Sequence, residues 1–352
     1  MAYTTIDDPS AHFQAQTYTG SGAPQDITNT GNSDLQPDMV WTKIRTTSNG
    51  VPNISDSSRG VSANNGKWLR TDSTSVESDD ANGIRAFNSD GFKTGDGWFN
   101  GASSYPYIAW QWKANGGTTS SNTDGNITST VQANTDAGFS IVTYTGNFTA
   151  TQTVGHGLGI RPDMVIIKNR DTAVDWVVWT KDLTSGNFLK LNDTNAQSSS
   201  SRIYQNGFTT STFGIGANNA VNKSGDDFIA YCFNSVQGYS KFGKYVGNSN
   251  DNGAFVYLGF KPRWLMIKST QAGMSWDIID TARSTSNVMD DYLTANTSDP
   301  EGTSSTKNID FLSNGFKCRD DNNINFSDHT YIYMAFAENP FVTSTGVPVP
   351  AR

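Results

Sequence analysis

The chain has 352 residues, of which 33 are glycine, 12% aromatic and only 16% charged, a balance that excludes a disordered polyelectrolyte. The formal charge of −8, with no basic run longer than a pair, excludes the clustered Lys and Arg that nucleic-acid contact requires. No stretch approaches the about 20 apolar residues of a membrane span, and two cysteines cannot supply a disulfide framework, so no membrane insertion is expected and Cys232 and Cys318 read as buried free thiols.

The chain opens on a polar arm, 1–12, read as an N-terminal docking arm; it carries no charged-then-apolar signal segment, so synthesis in a cytoplasm is expected. A first unit, 13–116, begins at Phe13 and Tyr18-Thr19-Gly20. It continues with Pro37-Asp38-Met39-Val40-Trp41-Thr42-Lys43, where proline opens a strand at the one position that costs no ladder bond. The run behind that proline is too unbroken for simple alternation, which predicts a strand covered on both faces. Ser89-Asp90-Gly91-Phe92 then predicts a tight hairpin, because Asp-Gly tolerates positive φ. The unit closes on a strand with Ile108, Trp110 and Trp112 on one face and Ala109 and Gln111 on the other; the bulky face is assigned to the core, each side chain there contributing about 1.5–3 kcal/mol.

Residues 117–136, led by the Gly116–Gly125 stretch, read as a polar linker. A second unit, 137–238, repeats the landmarks as Tyr144-Thr145-Gly146, Pro162 to Lys168, Gln205-Asn206-Gly207-Phe208 and Phe228-Ile229-Ala230-Tyr231. A third, 239–340, repeats them as Tyr245-Val246-Gly247, Pro262 to Lys268, Ser313-Asn314-Gly315-Phe316 and Tyr331-Ile332-Tyr333-Met334, and a tail, 341–352, follows. Agreement at several offsets in three places means triplication. The fold class expected is all-β: three tandem antiparallel β-sandwich repeats, jelly-roll or lectin-like, of about 100 residues each. They are expected as beads in contact, the second and third closest. Phe87, Ile203 and Phe311 before the turn, and Phe92, Phe208 and Phe316 after it, are assigned to the core of their own unit, and Trp176 and Trp276 to core as well.

Reactive chemistry finds little support in this pattern. His12, His156 and His329 stand at unrelated points of the repeat, so neither a metal cluster nor a Ser-His-Asp triad is indicated, and His156 reads as part of a loop leading into a strand. The pairs Asp79-Asp80, Asp226-Asp227, Asp290-Asp291 and Asp320-Asp321 would suit a glycosidase only if held about 5–10 Å apart, and read as solvated or as helix- and turn-capping groups. No catalytic residue, metal ligand or cofactor is assigned. Lys43, Lys168 and Lys268 recur in all three units and read as sheet-edge guards or carboxylate partners. Arg59 and Arg283 align with each other and read as local salt-bridge or loop anchors. The ligand-facing candidate is the loop with Asp96, Trp98, Phe99 and Asn100, followed by Tyr105, placed outside the repeated scaffold: its rings could stack on a sugar while Asp96 and Asn100 bind hydroxyls, or could plug the sandwich end.

The opening Met1-Ala2-Tyr3-Thr4-Thr5-Ile6-Asp7-Asp8-Pro9-Ser10, Leu35-Gln36-Pro37-Asp38-Met39-Val40-Trp41, Ser58-Arg59-Gly60, Asn88-Ser89-Asp90-Gly91-Phe92, Ile108 to Gly117 and Gly155-His156-Gly157-Leu158-Gly159 together resemble a repeat domain of structural proteins of tailed bacteriophages, especially marine ones. The resemblance implies β-sandwich modules on a virion surface, of tail-fibre type, with host attachment as the role and capsid decoration or a head fibre as the alternative. It implies other virion proteins of tail or capsid as partners, a host surface glycan as ligand, and a homo-oligomer such as a trimer, which would form through the sandwiches because no heptads are present. The third unit departs from the pattern, with Arg263 where the others carry aspartate and no His-Gly-Leu-Gly, so a different surface role is expected there.

Overall fold

The computed structural model describes residues 2–61, 64–204, 207–271 and 273–348. It is all-β and built on three large antiparallel sheets that share one spatial order. In the first, the opening strand Phe13–Thr19 pairs with the closing strand Pro106–Trp112, which pairs in turn with Met39–Ile44, followed by Asn53–Asp56, Gly66–Arg70 and Ser78–Asp80. The second sheet repeats this with Phe139–Thr145, Asp227–Phe233, Met164–Asn169, Val177–Thr180, Asn187–Lys190 and Ser198–Ser199. The third uses Ser240–Val246, Thr330–Pro340, Phe260–Ser269, Asp277–Asp280, Asp291–Thr294 and Gly302–Thr303. Residues 117–136 are not a free linker: Ser120–Asn122 and Ser129–Asn134 pair with each other and extend the second sheet beyond its opening strand.

Period-two alternation decides what each face buries. The outer faces, with Val40 and Ala109, Val165 and Ala230, or Leu265 and Ala335, pack under three small sheets that contribute Ile27 and Phe92, Val154 and Phe213, or Val256 and Phe316. The flanking residues of the hairpins lie there as the sequence predicts, Phe87 and Phe92, Ile203 and Phe208, and Phe311 and Phe316. The inner faces all meet in one cluster. Trp41, Trp110 and Trp112, Ile166, Tyr231 and Phe233, and Trp264, Met334 and Phe336 share it, with Trp176 and Trp276. Trp264 alone has Phe13, Trp110, Trp112 and Phe336 within 6.2 Å, ring centre to ring centre. The three units are therefore one packed body, and the expectation of beads in contact is corrected. Met39, Met164 and Met266 all face this core, but Trp264, opposite Phe336, occupies the register position of Met39 and Met164.

The hairpins differ in detail. Phe87 pairs with Phe92 across a four-residue turn in which Gly91 has φ 95°, and Leu312 pairs with Gly315 across Ser313-Asn314 alone. A Cβ on Gly91 would meet the Ile27 carbonyl and one on Gly315 the Val256 carbonyl, so both glycines serve close strand approach. In the second unit, Gln205 and Asn206 lie outside the described residues.

The arm ahead of Phe13 is folded onto its own chain. Ile6 is buried in the central core, the Thr4 hydroxyl donates to Gln237 O at 2.7 Å, Tyr3 donates to Gly259 O at 2.9 Å, and Asp7 accepts the Ser344 backbone N–H at 2.6 Å. It clasps the end of the second unit, the third unit and the following tail.

Candidate functional site

The candidate loop lies between the small sheet and the closing strand of the first unit. Trp98 is half-buried, donates through Nε1 to Asn49 O at 3.1 Å, and meets Tyr105 edge-on at 4.7 Å. Phe99 tilts against Trp68 at 4.9 Å, and exposed Asp96 pairs with Arg85 at 2.9 Å. Asn100 is fully buried; its Oδ1 accepts the Gly95 N–H and its Nδ2 donates to Asn82 O, so its amide closes the loop and does not face a ligand. The structure thus brings Trp98 and Tyr105 together at the surface beside the Asp96 ion pair, and places Asn100 inside.

This loop is part of the repeated scaffold, contrary to the sequence reading. Tyr18, Tyr144 and Tyr245 each donate a hydroxyl hydrogen bond to a loop carbonyl, at Asn100, Val221 and Ile324, over 3.0, 2.7 and 2.6 Å. Each ring stacks on the closing-strand aromatic, Tyr107, Phe228 or Tyr331, with centroids 5.0 Å apart in every case. One clamp therefore holds three loops of different sequence.

The recurrent lysines are neither edge guards nor carboxylate partners, which corrects both readings. They lie on central strands, fully buried, and donate to carbonyls of the neighbouring unit: Lys43 to Thr294 and Thr297, Lys168 to Thr74, Lys268 to Thr194 and Asn195. Burial pushes Lys43 down to about 7, and Lys168 and Lys268 down to about 8. The contacts run first unit to third, second to first and third to second, so the ring closes.

Two of the three seams carry buried ion pairs. Asp56 and Arg59 pair at 2.5 Å, Arg59 also reaches Glu77, Glu77 takes a forked pair of bonds from Arg170 of the second unit, and Tyr231 OH donates to Asp56 at 2.7 Å. Asp280, Arg283 and Glu301 repeat the arrangement with Arg45 and Trp110 of the first unit. At the seam of second and third units the corresponding residues are Thr180, Leu183, Gln197 and Thr270, joined by the Gln197 N–H to Thr270 O bond at 2.9 Å. Arg59 and Arg283 are thus salt-bridge anchors between units, and the pair expected closest meets across the neutral seam.

The remaining candidates are structural. His156 is buried, accepts the Leu158 N–H at Nδ1, and is pushed down to about 4 by desolvation. Asp80 accepts from Trp68 and Asn82, and Asp226 from Asn169 and Thr172. Cys232 and Cys318 are buried and free. Among the described residues no group of three or more His, Cys, Asp or Glu side chains is placed to hold a metal ion.

No curated protein and no solved structure matches this chain. Residues 8–340 match one family model, so the chain, with its three clamped loops and its ring of buried lysines, belongs to the family described as Domain of unknown function (DUF7483).

Proposed function

We propose that this chain is a structural protein of a bacteriophage virion surface, a tail-fibre or appendage component whose three tandem β-sandwich modules present loops to host-surface glycan. The observation that supports this reading is the clamp: the same tyrosine-to-carbonyl bond and ring stack fix three loops whose surface residues differ, exposed Asp96 with half-buried Trp98 and Tyr105 in the first against half-buried Asn218 and exposed Asn219 in the second. A rigid frame with interchangeable tips suits display. The buried Asp56–Arg59 and Asp280–Arg283 pairs serve seams between units. The motif resemblance to tailed-phage repeat domains points the same way. Further copies of the chain, other virion proteins and a host glycan are its proposed partners, and many weak sites acting together would gain about 10²–10⁴ in avidity.

Gold-labelled antibody against this chain, applied to intact phage particles that carry it, tests the reading. Label on the tail is the expected result. Label confined to the head would move the assignment to a capsid decoration protein, and unlabelled particles would overturn a virion surface role.

A further inference from the structure

Two seams of the ring are crossed by a connector from one unit to the next, and the third is crossed only by the N-terminal arm. Where the chain crosses, an aspartate anchors the connector. Asp38 accepts the N–H groups of Ala114, Gly116 and Gly117, and Asp163 accepts the backbone N–H of Ser235 together with its hydroxyl. At the seam between third and first units only the N-terminal arm passes, no connector joins the end of one unit to the start of the next, and Arg263 replaces the aspartate. Its Nη1 donates to the Thr281 hydroxyl and its Nη2 to Ala15 O on the opening strand of the first unit, both at 2.9 Å.

A cleft of about 470 Å³ lies there, lined among others by Arg263, Gln14, Thr30, Asn32 and Asn339. The two acceptors that Arg263 meets are uncharged, and no carboxylate of the described residues lies within ion-pair distance of it. The other lining charges, Lys261 and Glu338, neutralise each other at 2.7 Å. The cleft therefore holds one uncompensated guanidinium, with five N–H donors of which two are engaged by the bonds above, surrounded by amide and hydroxyl groups that both donate and accept. Its volume falls in the range of small-molecule sites, about 300–1,000 Å³.

We propose that this seam cleft binds an acidic sugar residue, with the Arg263 guanidinium on its carboxylate and the amides of Asn32 and Asn339 on its hydroxyls. The proposal rests on the glycan-attachment reading above and names the glycan class and the subsite for it.

Titration of the full-length protein with glucuronate, glucose and inorganic phosphate, followed by calorimetry and by NMR line broadening of the sugar, tests the cleft independently of particle labelling. Glucuronate is expected to bind at least about tenfold more tightly than glucose or phosphate. Arg263→Gln should lower that affinity by about tenfold or more, and Asn339→Asp, which leaves the seam bonds of Arg263 in place and adds a like charge to the ligand, should do the same. Ile160→Thr, at an exposed position of the second unit outside the cleft lining, should leave it unchanged. Glucuronate binding no tighter than glucose, phosphate binding as tightly as the sugar acid, or full affinity in Asn339→Asp would each overturn the assignment. Labelled tails with no glucuronate affinity would sink the cleft and leave the virion role standing; glucuronate affinity with unlabelled particles would do the reverse.

Discussion

Buried lysine without a carboxylate is the least expected feature at the residue scale. Lys43, Lys168 and Lys268 hold neighbouring units through carbonyl oxygens alone, and their low proton affinity in the folded state has a measurable sign. An unfolded chain protonates lysine near about 10.5, so above about pH 7 the unfolded state binds more protons and stability rises with pH. Melting temperature should climb from about pH 7 to about pH 9.5, and Lys43→Met should flatten the climb while costing about 1–3 kcal/mol for each carbonyl it orphans. A melting temperature that falls over that interval would contradict the assignment. His156 works at the acid end. Its folded affinity is lowered, so the unfolded state takes the proton first as pH falls from about 6.5 towards about 4, and up to about 3 kcal/mol is lost there. His156→Gln should remove that acid limb from a denaturation series run across the same interval.

The ion networks carry a second residue-scale prediction. Arg59→Met strands Asp56 in a buried site and should cost about 3–5 kcal/mol in chemical denaturation. The neutral seam shows how the fold avoids ions at this position, with Thr180 and Leu183 in place of the pair and Met334 at the closing-strand position of Tyr231. The triple variant Asp56→Thr, Arg59→Leu, Tyr231→Met copies that solution and should recover most of the loss. A triple variant no more stable than Arg59→Met would show that the seams are not interchangeable.

Elements of this fold were legible where local chemistry decided them. Proline before an apolar run, a glycine turn and an alternating aromatic strand announced the central and closing strands of all three units and the hairpins of the first and third, and these lie where their patterns placed them. The linker reading of 117–136 failed because Ser120–Asn122 and Ser129–Asn134 are polar edge strands, whose order comes from pairing with the second sheet and not from their own composition. Of the candidate loop, Trp98 and Tyr105 meet half-buried, but the burial of Asn100 depends on Gly95 and Asn82 closing around it, which spacing does not encode. The clamp tyrosines were visible as unit starts, and their role was not, since it needs the loop carbonyl opposite. Gly315→Ala gives an element-scale test. Its Cβ would collide with the Val256 carbonyl, so the small sheet of the third unit must part, at a cost of about 2 kcal/mol or more, with faster amide exchange at Phe255–Tyr257. Unchanged exchange in that strand would contradict the close approach.

Across the whole molecule, the decisive property is that three sheets share one aromatic centre. Trp110, Trp112, Phe233, Trp264 and Phe336 come from three units and lie in mutual contact, so removing one unit exposes the inner faces of the other two. The sequence pattern gave each strand an inner face but not its occupant, because an alternating strand reads the same whether it covers its own sandwich or a neighbour's. The ring direction of the lysines, the two ionic seams and the arm that ties Thr4 to Gln237 all reinforce joint folding. Differential scanning calorimetry of the full chain tests this most directly. A shared centre predicts one transition whose calorimetric and van't Hoff enthalpies agree, lost as a whole when Trp264→Ala empties the middle; two or three separable transitions, with only the last shifted by that substitution, would contradict it.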